Sequence, residues 1–291
     1  MENLLIVGCG DIARRALPEL RRRYRVSALV RSHDEALTAS GVEPIEGDLD
    51  EADSLASLAG RASLVAHLAP PESAGVFDQR TRKLLAALEK NRAMVPHRIV
   101  YLSTSGVYGD CHGECVTEER PPSPQTERAH RRLDAERTLA DWGERHGVEI
   151  VILRVPGIYA AERLPVERLR RGTPVLLAQD DVYTNHIHAD DLAAILVTAL
   201  EHPRARGVFN ACDDGEIKMG DWFDLVADRA GLPRPPRIAR ADAAQRIPPE
   251  LLSFMSESRR LINRRMKEEL GVRLRYPTVF EGVSRSLAAA M

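Results

Sequence analysis

The segment Leu4-Leu5-Ile6-Val7-Gly8-Cys9-Gly10-Asp11-Ile12-Ala13 constrains this chain most. Four aliphatic residues run into two glycines one residue apart, and a helical pattern begins at once. Apolar residues without alternation suit a strand buried on both faces, as in a parallel sheet. Gly8 permits a tight turn, Gly10 lets the backbone approach a ligand, and Ala13 is small enough for a helix to pack on the strand. A helix starting there presents free N–H groups and the positive end of its dipole to an anion. The pattern G-x-G-x-x-A in this setting predicts a dinucleotide pyrophosphate held by Gly8, Gly10, Asp11, Ile12 and Ala13. The competing reading is a glycine turn without a ligand.

The same strand, turn and helix unit recurs through the first 155 residues. Strands are expected over 4–7, 25–30, 64–68, 98–103 and 149–155, with a further one ending before Gly47. Helices are expected over 11–22, 54–58, 78–91 and 126–143. This is the grammar of an α/β fold, a doubly wound Rossmann-type parallel sheet. Past Pro156 the pattern loosens into Pro- and Arg-rich connections with helices over 190–200, 219–230 and 259–270 and a turn-rich linker over 231–237. Residues 1–155 are expected to form the dinucleotide domain, with helix 190–200 packing back on it, and 156–291 a smaller C-terminal substrate lobe. A length of 291 residues, at about 150 per domain, allows both.

The 41 basic and 43 acidic residues nearly cancel, which argues against nucleic acid or an anionic membrane as partner and leaves a small molecule. The longest strongly apolar window, 192–200, is about half of the roughly 18 to 20 residues of a membrane span. Met1-Glu2-Asn3 and the short run after it are too acidic and too brief for a secretory signal, so the cytoplasm is expected, with Cys9, Cys111, Cys115 and Cys212 as reduced thiols.

A site for NAD would place Asp or Glu about 20 residues beyond the glycines to hold the ribose hydroxyls. That strand tip reads Val30-Arg31-Ser32. A guanidinium and a hydroxyl suit a 2′-phosphate, so NADP is favoured, while Asp34 or Glu35 folding onto the ribose would keep NAD possible. In Gly47-Asp48-Leu49 the carboxylate can take the adenine amino group or cap a helix.

With Gly47-Asp48-Leu49, several further segments resemble the extended and atypical short-chain dehydrogenase/reductases, kin of the nucleotide-sugar epimerases and dehydratases. They are His67-Leu68-Ala69-Pro70, Ser103-Thr104-Ser105-Gly106-Val107-Tyr108-Gly109, Leu153-Arg154-Val155-Pro156-Gly157-Ile158-Tyr159, Ile187-His188-Ala189-Asp190-Asp191 and Phe209-Asn210-Ala211. The resemblance implies a catalytic role for Thr104, cofactor contacts at Leu68, Ala69 and Pro70, and a nicotinamide near Pro156, Gly157 and Ile158. It also implies a Tyr-x-x-x-Lys pair at the start of a helix, the tyrosine as acid/base and the lysine gripping the ribose. Arg128 and Arg132 stand there instead. An arginine does not release a proton near neutrality, although Arg132 can grip a ribose or phosphate. Relatives that bind nucleotide sugars carry an arginine four residues before the histidine of Ile187-His188; Thr184 here argues against a nucleotide-sugar diphosphate.

Tyr108 and Tyr159 follow strand ends, where open α/β sheets gather ligands, and are candidate proton donors; the alternative is a packed tyrosine with its hydroxyl satisfied. Cys111-His112-Gly113-Glu114-Cys115 lacks a second ligand pair and reads as a hairpin, so no metal is expected. His186 and His188 read as structural, and Trp142 and Trp222 as packing residues. Two functions fit: an NADP(H)-dependent oxidoreductase or epimerase-like enzyme acting on a small polar carbonyl or sugar-type substrate with a non-standard proton donor, or a non-catalytic NADP(H)-binding redox sensor.

Overall fold

The computed structural model describes residues 1–32, 34–90 and 94–290. Seven strands form one sheet: β1 (Glu2–Val7), β2 (Tyr24–Val30), β3 (Glu43–Glu46), β4 (Leu64–His67), β5 (Arg98–Thr104), β6 (Glu149–Val155) and β7 (Gly207–Asn210). All pairings are parallel, in the order β7-β6-β5-β4-β1-β2-β3. The order reverses between β1 and β4, the point of a doubly wound sheet outside which ligands gather.

Alternation within each buried strand separates two cores. Leu4 and Ile6 face α1 (Asp11–Arg23) and, further along the chain, a helix at Ala189–Glu201. Leu5 and Val7 face a 3-10 turn at Ala52–Leu58, α2 (Gln79–Leu88) and α3 (Glu127–His146). Helix α4 (Ala189–Glu201) therefore lies beside α1. The expected helices over 78–91 and 126–143 start one residue late because Asp78 and Thr126 cap them: Asp78 Oδ1 accepts from Thr81 N at 3.1 Å and Thr126 Oγ1 from Ala129 N at 3.2 Å. Asn91, the expected end of the first, lies outside the described residues. Gly147, at φ +67°, ends α3.

Two expectations for the second half need correction. Strand β7 has no counterpart among the expected strands; it is four residues long and adds the sheet's outer edge beside β6. The helix expected over 259–270 is confined to Arg264–Leu270, because Arg260 and Leu261 pair in parallel with Cys115 and Val116. That pairing also corrects the hairpin expected at Cys111–Cys115, which is a turn feeding a remote strand. A third core, with Leu164, Leu169, Val175, Phe223, Val226 and Val279, gathers short elements from the second half around α5 (Met219–Ala230).

Candidate functional site

The carboxyl ends of the strands open on two cavities that share Gly8. The first, about 600 Å³, is lined by Gly8, Arg31, Ser32, Asp34, Glu35, Asp48, Leu49, Ala69, Pro70 and Arg80. The second, about 620 Å³, runs from Gly8, Gly10, Asp11, Ile12 and Ala13 past Leu68, Thr104, Arg128 and Arg132 to Pro156, Gly157 and Ile158. Its far wall comes from the second half: Arg168, Tyr183, Thr184, His186, Trp222, Phe223, Phe254, Glu257 and Arg259.

Gly8 sits at φ +93°, and a Cβ there would come within 2.5 Å of Ala69 N. That amide is fixed, since Leu68 N and Ala69 N both donate to Val7 O at 2.7 and 2.9 Å. Gly10 is the reverse case. It precedes α1 in extended backbone, and a Cβ there would meet nothing within 4 Å, so it would fill only the space above the helix N-terminus. A bare turn and free amides facing a cavity are what a pyrophosphate requires.

On the first cavity's rim the carboxylate of Asp34 is already engaged. Its Oδ1 accepts from Leu37 N at 3.1 Å and its Oδ2 pairs with Arg14 at 2.6 Å, and these contacts hold its pKa below the usual value. Asp48 Oδ1 accepts from Asp50 N at 2.9 Å, so it braces the next turn as well as lining the cavity. Arg80 is paired with Asp50 at 2.6 Å. Arg31 and Ser32 are exposed at the end of β2.

In the second cavity, Thr104 ends β5 half-buried, and its Oγ1 accepts from Gly106 N at 3.2 Å. Behind it Glu136 and Arg154 form a buried ion pair at 2.7 Å, to which Ser103 donates its hydroxyl, tying β5, β6 and α3 together. Arg132 Nη1 donates to Leu102 O at 2.9 Å, to Tyr101 Oη at 3.0 Å and to Ala69 O at 3.4 Å. Arg128 lays its guanidinium 4.4 Å from the centre of the Phe254 ring.

Residues 4–212 match the NAD dependent epimerase/dehydratase family. The chain belongs to that family. It is 26% identical over 146 residues to GDP-6-deoxy-D-mannose reductase of Pseudomonas aeruginosa, a match covering 45% of this chain and 48% of that protein. The chain thus spans about half the length of that curated relative. A functionally unknown conserved protein from Silicibacter pomeroyi superposes with a TM-score of 0.81 at 30% identity, over 100% of this chain and 99% of the other. The fold is shared with the UDP-glucose 4-epimerase of Thermus thermophilus, solved in complex with NAD, at a TM-score of 0.75 and 21% identity over 98% of each chain.

The glycine turn and the N-terminus of α1 fit the dinucleotide that this family uses. When bound, that group supplies a nicotinamide ring that accepts or donates hydride. The structure places Tyr108 and Tyr159, expected as proton donors, in packed positions. Neither lines either of these two cavities. The Tyr108 hydroxyl donates to Asn210 Oδ1 at 2.8 Å beneath Arg154. Tyr159 points toward Thr278 O and Gly282, and burial pushes its pKa up. Tyr183 does line the second cavity, alone of the six tyrosines. His186 also borders it, packed on Trp222 with ring centres 4.2 Å apart, and burial pushes its pKa down to about 3. His188 accepts from Asp190 N at 3.1 Å and stacks on Tyr276, a structural position. Trp222 both packs and lines.

Sequence reading missed Arg168, Glu257, Arg259, Phe223 and Phe254, which come from separate stretches of the second half: a short helix, α5, and the segment 254–259. The only hint lay in the density of arginine. Among the described residues no group of three His, Cys, Asp or Glu side chains could hold a metal ion, and no helix is long and apolar enough to cross a membrane.

Proposed function

We propose that the chain is an NADP(H)-preferring oxidoreductase or epimerase-like enzyme that exchanges hydride with a small polar carbonyl or sugar-type substrate in the second cavity. The observation that carries the cofactor choice is the rim of the first cavity: Asp34 is committed to Leu37 N and Arg14, while Arg31 and Ser32 line the same space. A guanidinium there favours a 2′-phosphate, and a carboxylate already in use is a poor ribose ligand. In this reading Gly8 through Ala13 hold the pyrophosphate, Asp48 and Leu49 border the adenine, and Leu68, Ala69, Pro70 and Arg132 border the ribose of the nicotinamide end. Pro156, Gly157 and Ile158 back the nicotinamide.

Thr104 offers its hydroxyl to the substrate oxygen. Arg128 and Arg132, standing where the family's tyrosine and lysine are expected, bind charge and release no proton. Tyr183 is the acid this reading assigns, because it brings a phenol to that cavity.

Calorimetric titration tests the cofactor choice. NADPH should bind about ten- to hundredfold more tightly than NADH, and Arg31→Asp should reverse the order. Equal affinities in the parent protein would sink it. With a substrate found by screening aldehydes, ketones and sugar derivatives for NADPH oxidation, Tyr183→Phe should lower turnover by about 10² to 10⁴ and leave NADPH affinity intact. Unchanged turnover would remove Tyr183 from the role. Tight NADPH binding without activity across the whole screen would favour the sensor.

A further inference from the structure

Charge in the second cavity is unbalanced. Five arginines and two carboxylates line it among the described residues. Arg163 lies 3.3 Å from Asp11 and Arg259 lies 2.8 Å from Glu257, which uses both carboxylates. Arg132 is fastened to the carbonyls and hydroxyl at the sheet edge. Arg128 and Arg168 remain, neither with a carboxylate at ion-pair distance among the described residues.

Both are laid on aromatic faces of the cavity wall: Arg128 over Phe254 at 4.4 Å and Arg168 over Phe223 at 4.1 Å. Arg168 Nη2 makes one long contact, 3.4 Å, to Pro174 O, and its Nε is buried with no hydrogen-bond partner. Burial pushes the Arg168 guanidinium down to about 10. Both still carry their charge at neutral pH. Arg128 is exposed at the cavity mouth and Arg168 is half-buried; a guanidinium whose Nε is buried without a partner is costly, and the planar fork of both matches carboxylate and phosphate oxygens.

We infer that the substrate of this cavity carries an oxyanion, a carboxylate or a phosphate, received by Arg168 and Arg128. The inference rests on the reading of this cavity as the place of hydride exchange. The aromatic faces pre-orient the two forks, so little side-chain freedom is lost on binding. Since about 620 Å³ must hold the nicotinamide end and the substrate together, the anion belongs to a small molecule.

The test titrates the chain, saturated with NADP⁺, with succinate semialdehyde and with glyceraldehyde 3-phosphate, each beside its neutral counterpart, butanal and glyceraldehyde. One anion should bind at least about tenfold more tightly than its counterpart, and which one does so separates carboxylate from phosphate. Arg168→Leu should weaken that binding about ten- to hundredfold, Arg168→Lys should recover part, and NADP⁺ affinity should move less than about twofold. Should Arg168→Leu be unfolded by circular dichroism, Arg168→Gln and Arg128→Gln carry the same comparison. Equal affinity for the neutral partner, no binding of either anion, or a loss of NADP⁺ affinity matching the loss of anion would overturn the assignment. Failure of the cofactor reading is distinct: NADP⁺ would not bind the parent protein, and the same titrations on the cofactor-free chain would then decide on Arg168.

Discussion

The two cavities share Gly8 and a sheet edge, yet they are built by different means. The first is walled by consecutive strand ends, and what faces it is largely backbone or a residue just past a strand: Arg31 and Ser32 after β2, Asp48 and Leu49 after β3, Ala69 and Pro70 after β4. The second takes one wall from the same sheet and the other from side chains far apart in the chain, Arg168, Tyr183, Trp222, Phe254 and Arg259. A wall set by backbone geometry is most sensitive to changes of conformation, apart from side chains such as Arg31 that read the ligand at its rim. A wall set by side chains should behave the other way round.

Gly8 and Gly10, separated by a single residue, offer the sharpest way to break that comparison, since they differ in which property they need. Gly8→Val puts a branched residue at φ +93° and drives its Cβ into the fixed Ala69 amide. It should cost about 3 kcal/mol or more of folding stability and abolish dinucleotide binding. Gly10→Val meets no protein atom at its Cβ. It should leave stability within about 1 kcal/mol while weakening the dinucleotide by about a hundredfold or more, because the side chain occupies the phosphate's approach. Denaturation in urea beside calorimetric titration separates the two. If both variants lose stability alike, the turn is a structural device only.

The same contrast explains what can be read in advance. The sheet, its helices and the residues of the first cavity follow from local rules, apolar runs of strand length, a glycine pair and helix caps, each written within a few positions. β7 is hidden because Gly207–Asn210 offers only Val208 and Phe209 as strand formers, between a glycine and an asparagine, where β4 reads Leu-Val-Ala-His after a turn. Arg260 and Leu261 read as helical because their strand exists only through the remote Cys115 and Val116. Tyr108 and Tyr159 follow strands as ligand-facing residues do, but position along the chain does not say whether a ring turns toward a cavity or into a core. Asn210 and Gly282, which receive them, come from far downstream. Arg168 and Phe254 carry no local pattern at all; only assembly of the lobe brings them to one wall.

Two buried histidines provide the smaller test. His67, in the sheet interior with Nε2 3.0 Å from Thr81 Oγ1, and His186, on the wall of the second cavity, are both pushed by burial from 6.5 to about 3, His67 with added repulsion from Arg132. A base whose folded pKa is depressed is refused its proton in the native state and accepts it when unfolded. Its contribution is therefore complete above about pH 6.5 and is lost as pH falls toward 3, at about 1.4 kcal/mol per pH unit for each histidine. By pH 5 each should have taken away about 2 kcal/mol. Asp213, whose pKa burial raises, opposes this, because its buried carboxyl is relieved in acid. Comparing each variant with the parent cancels that opposition. Unfolding free energies from urea titration at pH 7.5 and 5 should differ less for His67→Gln and for His186→Gln than for the parent protein, by about 2 kcal/mol in each case. An unchanged pH difference for His67→Gln would mean that the ring titrates normally in the folded chain. A full effect for His67 with a smaller one for His186 would mean that water enters from the second cavity and lets its wall take up charge, a freedom that the sheet interior lacks.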